Sequence, residues 1–478
     1  MKFLSLLIVP PLLLLAGCVD APSTTPSEVA LKPDSVGLSG SAAPQIEPGW
    51  WTAFHDSQLD RLVAQAISGS PTLAAALARL REAQSVLSEN RANTYPQANF
   101  DTQIVRERLS DIYIYPPPYA GTTRWIATIQ GDVSWDLDLW GHQSAMVDKA
   151  RASANASALD AEAARLALEG AVTQTYVQLA SAYALADVAA DAVKTRAGVL
   201  AVTNTRFKSG LENAASLKQA EAELSQAKEA LTAANGNRDL ALHALAALVG
   251  RGADIYSTIN RPTIDFETAL PLPETLPADL LARRPDILAA QARIDAGASG
   301  REVARTAFYP DVNLMGLAGW AAIGLSPLFS ATSLNYGAGP AIHLPIFDAG
   351  KLRAEYAGAT AELDASVADY NGAVVNAVKQ TADALTQSRA LESELRDQRQ
   401  AVVAASEGFR IAQTRYRNGL SPQLNVLDVE NEFLAARQLQ VSLEGQAASA
   451  RISLLIAVGG GFEPPHGNAA SPPQDKTP

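Results

Sequence analysis

One cysteine occurs in 478 residues, Cys18, so no intrachain disulfide can form. The five histidines stand at positions 55, 142, 243, 343 and 466, and none falls in an HxxxH or HExxH pattern. No glycine-rich phosphate loop is present, and no catalytic constellation is found, so the chain reads as no enzyme, with no metal or cofactor. Beyond the first residues no run of 18 apolar residues occurs, which excludes a spanning helix there. Basic residues are outnumbered 38 to 50, and the net charge of −12 argues against nucleic acid as a partner.

What is present begins at the N-terminus. Lys2 precedes an apolar run from Phe3 to Leu15, then Ala16-Gly17-Cys18. This is a signal peptide over 1–17, too short to span. The small residues before Cys18 resemble a bacterial lipobox. The resemblance implies cleavage before Cys18 and acylation of its sulfur (palmitate or a similar chain) and its new amino group. Val19 follows Cys18 where the inner-membrane retention signal has Asp, which favours the outer membrane. Residues 18–48 are rich in Pro, Ser, Ala and Thr and read as an extended, lipid-anchored linker. Residues 459–478 read as a disordered tail.

The chain also says one phrase twice. TRFKSGL begins at Thr205 and TRYRNGL at Thr414, an offset of 414 − 205 = 209. Gly141 and Gly350 repeat that offset, while Tyr95-Pro96 and Tyr309-Pro310 are 214 apart, as are PTLAAALAR from Pro71 and PDILAAQAR from Pro285. Ordered matches with one five-residue insertion argue for an internal duplication. The halves run over 49–250 and 251–458.

Each half carries two segments of period two, about 97–109 and 123–138, then about 310–322 and 333–346. In the second segment Trp125, Ala127, Ile129, Val133 and Trp135 alternate with Arg124, Thr128, Gln130, Asp132 and Ser134. In the third, Val312, Leu314, Ala318 and Trp320 alternate with Asp311 and Asn313. Such strands of about ten residues with aromatic ends fit transmembrane β-strands, apolar toward lipid and polar toward a lumen; soluble hairpins packed on a core are the alternative. Four strands cannot close a barrel alone, and lipid does not tolerate open edges, so spanning strands require oligomerisation. Two copies give eight strands and three give twelve.

No proline interrupts 142–206, where Ala, Leu, Glu, Gln and Arg predict one long helix, and 351–415 matches it. Leu159, Ala163, Leu166, Gly170, Thr173 and Val177 form a coiled-coil seam, with Gly170 and Gly198 as places where the helix can break. Return helices follow over about 214–249 and 422–458. The repeated phrase is then the turn of each helical hairpin, with Gly210 and Gly419 as C-caps and Ser421-Pro422 as N-cap and first helical residue. Paired acids such as Glu221 and Glu223 read as solvated faces.

WWTAFHDSQLDRLVAQAISGSPTLAAALARLREAQ, LPADLLARRPDILAAQARIDA and RYRNGLSPQLNVLDVENEFLAAR resemble the outer-membrane factors of tripartite efflux pumps, in particular the NodT-type and OprM-like lipoproteins of the TolC superfamily. The resemblance covers Trp50 to Val458. It implies a TolC-like α+β membrane protein of two tandem repeats, each a β-hairpin plus a long α-helical hairpin. It further implies a homotrimer with a 12-stranded β-barrel and an α-helical periplasmic tunnel, ringed by a belt for which 57–94 and 251–305 are candidates. The implied function is passive conduction of small molecules out of the cell. An inner-membrane transporter supplies the energy, and a periplasmic adaptor docks on the helical tips. By match to the motif, Gly210, Leu211, Arg417, Gly419, Leu420 and Ser421 make those contacts, and Leu424, Asn425 and Asp428 fall at the channel constriction. Many relatives carry Asp six residues after each tip glycine. Here those positions are Ser216 and Asn425, which leaves Asp428 as the main acidic group. From the residues alone, Asp428 reads as a surface carboxylate near a helix N-terminus. A type I-like protein export duct and a lipid-anchored coiled-coil structural protein are the alternative functions; a periplasmic adaptor has one helical hairpin, not two.

Overall fold

Alternating strands and unbroken runs of helix formers set the architecture of the computed structural model, which describes residues 24–38, 44–277 and 279–463. In chain order it contains α1 (Ser57–Gly69), α2 (Pro71–Asn93), β1 (Gln97–Arg108), β2 (Thr123–Asp136), α3 (His142–Lys208), α4 (Ala214–Leu248), α5 (Leu280–Arg283), α6 (Pro285–Thr306), β3 (Asp311–Ile323), β4 (Leu334–His343), α7 (Lys351–Arg417) and α8 (Gln423–Ala457). Both α3 and α7 have 67 residues, and both α4 and α8 have 35. Corresponding helices start 351 − 142 = 209 and 423 − 214 = 209 residues apart, so the repeated phrase belongs to a duplication of whole elements. Among the described residues no helix is long and apolar enough to cross a membrane.

One unit of the chain comprises the residues before 31 with 80–157 and 290–370, and it holds the sheet. The four strands are antiparallel in the order β1-β2-β3-β4. The register aligns Phe100 with Gly131, Ile129 with Trp320 and Ala318 with Tyr336, which gathers the apolar alternates of all four strands on one face. That face is exposed, with Phe100, Trp125, Trp135, Tyr336 and Ile342 among its open side chains. Trp125 and Trp135 lie ten residues apart on β2, or about 34 Å of strand, which at a tilt of about 40° gives a band of about 26 Å, the height of an outer-membrane apolar belt. On the opposite face the polar alternation holds on β1 and β2 except at the paired Val105 and Ile126, and on β3 it stops after Asn313, where Met315, Leu317, Gly319, Ala321 and Ile323 follow. β1 and β4 are paired on one side only, and Pro340 lies on β4, an edge strand that tolerates its missing donor.

The other unit comprises 31–79, 158–289 and 371 onward. The seam read from the sequence is buried on α3 at Leu159, Leu166, Gly170, Thr173 and Val177, while Ala163 is half-buried. Gly170 does not break the helix. A side chain there would strike Ile456 at 2.1 Å, so the residue permits close packing of α3 and α8. Asp56 caps α1 by accepting from Gln58 N at 2.9 Å, and it also accepts from Tyr176 Oη at 2.7 Å and from Thr263 N and Oγ1 at 3.0 and 3.1 Å. Burial alone would raise its carboxyl, but these donors hold it below the ordinary value.

Three expectations are corrected. The linker expected over 18–48 is docked where it is described: Ser27 N and Oγ donate to Asp364 in the first unit, and Leu38 and Ile46 are buried in the second. The first residues of the tail expected over 459–478 are packed, with Gly459 on the Arg283 carbonyl and Gly461 on that of Glu47, and 464–478 lie outside the described residues. The N-cap of α8 is Pro422, in extended conformation, rather than Ser421, because the turn keeps one more residue outside the helix.

Glu169, buried on α3 with Arg165 Nε 3.9 Å away, has its carboxyl pushed up to about 7 by burial, with Arg165 opposing and Glu162 adding. A carboxyl raised on folding costs stability as pH climbs from about 4.5 through about 7. Glu169→Gln is expected to stabilise the protein at pH 8 by up to about 3 kcal/mol and to do nothing at pH 4. Unfolding temperatures of both proteins at the two pH values check this; the same shift at both contradicts it.

Candidate functional site

The two hairpin turns are built alike. Gly210 N donates to Phe207 O at 3.0 Å and Leu211 N to Arg206 O at 2.9 Å, and Gly419 N donates to Tyr416 O at 2.9 Å and Leu420 N to Arg415 O at 2.8 Å. Both glycines have positive φ, 72° and 74°, as the helix-ending turn demands. Each turn leaves its next residue outward: Leu211 is 65% exposed and Leu420 68%. Arg417, the last residue of α7, lines a cleft of about 460 Å³ with Lys194, Val199, Phe409, Tyr416 and Arg437. Ser421 differs from the other tip residues, because its hydroxyl is shielded and finds no partner among the described residues.

The turns are tied together through the first half's arginine. Arg206 Nε lies 3.3 Å from Glu212 Oε1, and its guanidinium stands 5.1 Å from the centre of the Tyr416 ring. Tyr416 Oη in turn meets Thr203 Oγ1 at 3.2 Å. The aromatic and the basic residue of the repeated phrase thus serve each other across the two halves, which a turn alone does not require.

Leu424, Asn425 and Asp428 share one exposed face at the start of α8, by their i, i+1, i+4 spacing. The opposite face is buried and carries Gln423, Val426, Leu427 and Glu430. Glu430 is fully buried, and neither carboxylate oxygen has a hydrogen bond among the described residues. Arg196 of α3 is its neighbour, with Nε 3.8 Å away, and Arg196 also binds Glu223 of α4 and Asn431 of α8. Burial pushes the Glu430 carboxyl up, Arg196 draws it down, and Glu223 adds to the rise. Glu223 is therefore no solvated face, unlike Glu221, which pairs with Lys218 in the open. The sequence signal for this node is a charge at apolar spacing: Glu430 follows Val426 and Leu427 at helical steps. Cys18 lies outside the described residues.

Comparison with known proteins follows the same outline. The outer membrane efflux protein family matches residues 62–251 and 276–460. The fusaric acid resistance protein FusA of Burkholderia cepacia is 33% identical over 369 residues, 75% of this chain and 69% of its own length. The putative multidrug resistance outer membrane protein MdtQ of Escherichia coli K12 is 30% identical, over 95% of this chain and 97% of its own. The crystal structure of the outer membrane protein VceC from Vibrio cholerae superposes with a TM-score of 0.82 at 32% identity, covering 87% of this chain and 100% of that one.

Removing Arg196 strands a buried carboxylate, a change that typically costs about 3–5 kcal/mol. Arg196→Met is therefore expected to loosen the start of α8, and Glu430→Gln in the same chain to recover much of the loss. Hydrogen exchange of the α8 amides in the two single variants and the double variant reads the coupling; additive effects contradict it.

Proposed function

Because the chain belongs to the outer membrane efflux protein family, a family of ducts rather than enzymes, we propose a specific assembly and division of labour for it. The chain is an outer-membrane efflux channel of the TolC-like α+β fold. Three copies form the working duct, with twelve strands in one barrel. The observation that carries this reading is the sheet: one face is apolar on all four strands but for Thr102 and the Arg106, Arg108 and Thr123 end of the first hairpin, and two outer edges have no strand partner among the described residues. In lipid those edges must be paired, and four strands are too few to close on themselves.

The loops joining β1 to β2 and β3 to β4 face the exterior, and the helices reach into the periplasm, as long and short connections divide in such barrels. The exposed Leu211 and Leu420, with Arg417, are the docking points for a periplasmic adaptor, which links the duct to an inner-membrane transporter. Ser421 takes part through its backbone, since its hydroxyl is turned away from solvent. Cys18 carries the lipid anchor. Leu424, Asn425 and Asp428 face the axis, so three Asp428 carboxylates ring the narrowest passage and favour cations. Small organic molecules are the cargo; FusA is named for resistance to one such acid and MdtQ for multidrug resistance.

Light scattering and single-particle imaging of the purified protein test the assembly: a threefold particle with a hollow stalk is expected, and a monomer or a solid rod overturns it. In planar bilayers, Asp428→Asn is expected to lower the cation-to-anion permeability ratio several-fold; an unchanged reversal potential removes Asp428 from the constriction. Intact-mass measurement of the membrane-extracted protein is expected to show a chain starting at Cys18 with added acyl mass, and unmodified Cys18 overturns the anchor.

A further inference from the structure

The sheet face opposite the lipid band is not uniform, and the register shows how it divides. Reading across the strands, Asn99 lies beside Asp132, then Leu317, then Gly337. The next row on this face toward the helices reads Gln97, Ser134, Met315, Gly339. In these rows the β1–β2 half carries polar side chains, the paired Val105 and Ile126 lying further toward the loop. The β3–β4 half carries apolar ones beside bare backbone. Met315 is 55% exposed. A side chain at Gly337 or Gly339 would meet nothing within 4 Å, and neither residue has positive φ. Within the chain neither packing nor backbone geometry calls for glycine there, and glycine weakens a strand. What their absence of side chains provides is open space against Met315 and Leu317.

The polar half is also unbalanced in charge. It carries Asp101, Glu107, Asp132 and Asp136 against Arg124, which is the register partner of Glu107. Asp132 accepts from Asn99 Nδ2 at 3.2 Å on one side and has Leu317 as its register partner on the other. A carboxylate-bearing strip and an apolar strip thus run side by side along one wall.

Resting on the duct reading above, we infer that this wall is a two-part track for cationic amphiphilic small molecules, with the apolar body sliding on Met315 and Leu317 and the positive group held toward Asp132. Charge complementarity fixes the sign of the cargo, and the open glycines admit its bulk. Purely polar solutes gain nothing from the apolar strip, and anions are repelled by the carboxylates beside it.

The test uses the full chain in planar bilayers, with potassium chloride as the conducting salt and alkyltrimethylammonium ions of butyl to octyl chain length as blockers. The half-blocking concentration is expected to fall about two- to fourfold per added methylene, the range between half and full burial of each group. Met315→Ser with Leu317→Ser should flatten that dependence toward no change per methylene while leaving potassium chloride conductance within about twofold, since lumen positions tolerate polar residues. Met315→Leu with Leu317→Met keeps the wall apolar and should keep the dependence. Asp132→Asn should weaken block by every chain length by the same factor. A wild-type block indifferent to chain length, or a chain-length dependence untouched by the paired serine change, overturns the inference and leaves the duct standing. A chain that forms no pore overturns the duct reading as well, and the two failures are told apart by the conductance itself.

Discussion

The constraint on which the rest depends is that lipid supplies no hydrogen bonds. The free edges of β1 and β4 pair with no strand among the described residues, and the apolar face shared by all four strands belongs in hydrocarbon. Those two facts cannot both stand for a solitary sheet. They make the single chain a fraction of a barrel rather than a small barrel, and they put a requirement on the helices too. Every strand end that does not carry a loop leads from or into a helix: α2 precedes β1, α3 follows β2, α6 precedes β3 and α7 follows β4. Whatever symmetry closes the edges is imposed on four helices at once.

Duplication supplied the parts, and divergence assigned them. The halves agree residue for residue in helix length and in the hydrogen bonds of their turns, where backbone geometry leaves little choice. They differ wherever a side chain meets a different neighbour. Arg206 of the first turn lies over Tyr416 of the second half, which occupies the place of Phe207 in the repeat. The phenol oxygen is used, reaching Thr203, and a phenylalanine in that place has none to offer. In the strands the hairpin is duplicated while the faces opposite the apolar band part ways at mid-strand, with Asn99 and Asp132 in the first hairpin beside Leu317 and Gly337 in the second.

Much of this was legible in the chain. Period-two alternation and proline-free helix formers mark their elements because both patterns follow from burial on one face, which acts within a few residues of sequence. The repeated turn was legible because glycine in a left-handed turn has few substitutes. What was not legible depends on partners distant in sequence. Nothing near Glu430 says that Arg196, 234 positions away, approaches it, and nothing near Ser27 says that Asp364 caps its amide. The linker looked free because its composition lacks apolar periodicity, yet Leu38 and Ile46 are enough to seat it. On β3 the polar positions read from the sequence, Asp311 and Asn313, do not continue, and the same face goes on with Met315 and Leu317, whose neighbours only the register gives.

Three buried carboxylates show where the structure is firm and where it is loose. Asp56 collects four donors from three elements and is held ionised despite burial, so α1, α3 and the segment after α4 are locked where they meet. Glu169 has one distant arginine and is held toward neutrality. Glu430 has no hydrogen bond and shares its arginine with Glu223. A buried charge with four donors is held from several sides at once, whereas the Glu430 carboxyl depends on Arg196 alone. Arg196 also binds Asn431, so the start of α8, which carries Asp428 on its exposed face, is secured to α3 through that one guanidinium, and whatever draws the guanidinium away frees the helix start and leaves a buried carboxylate without its partner.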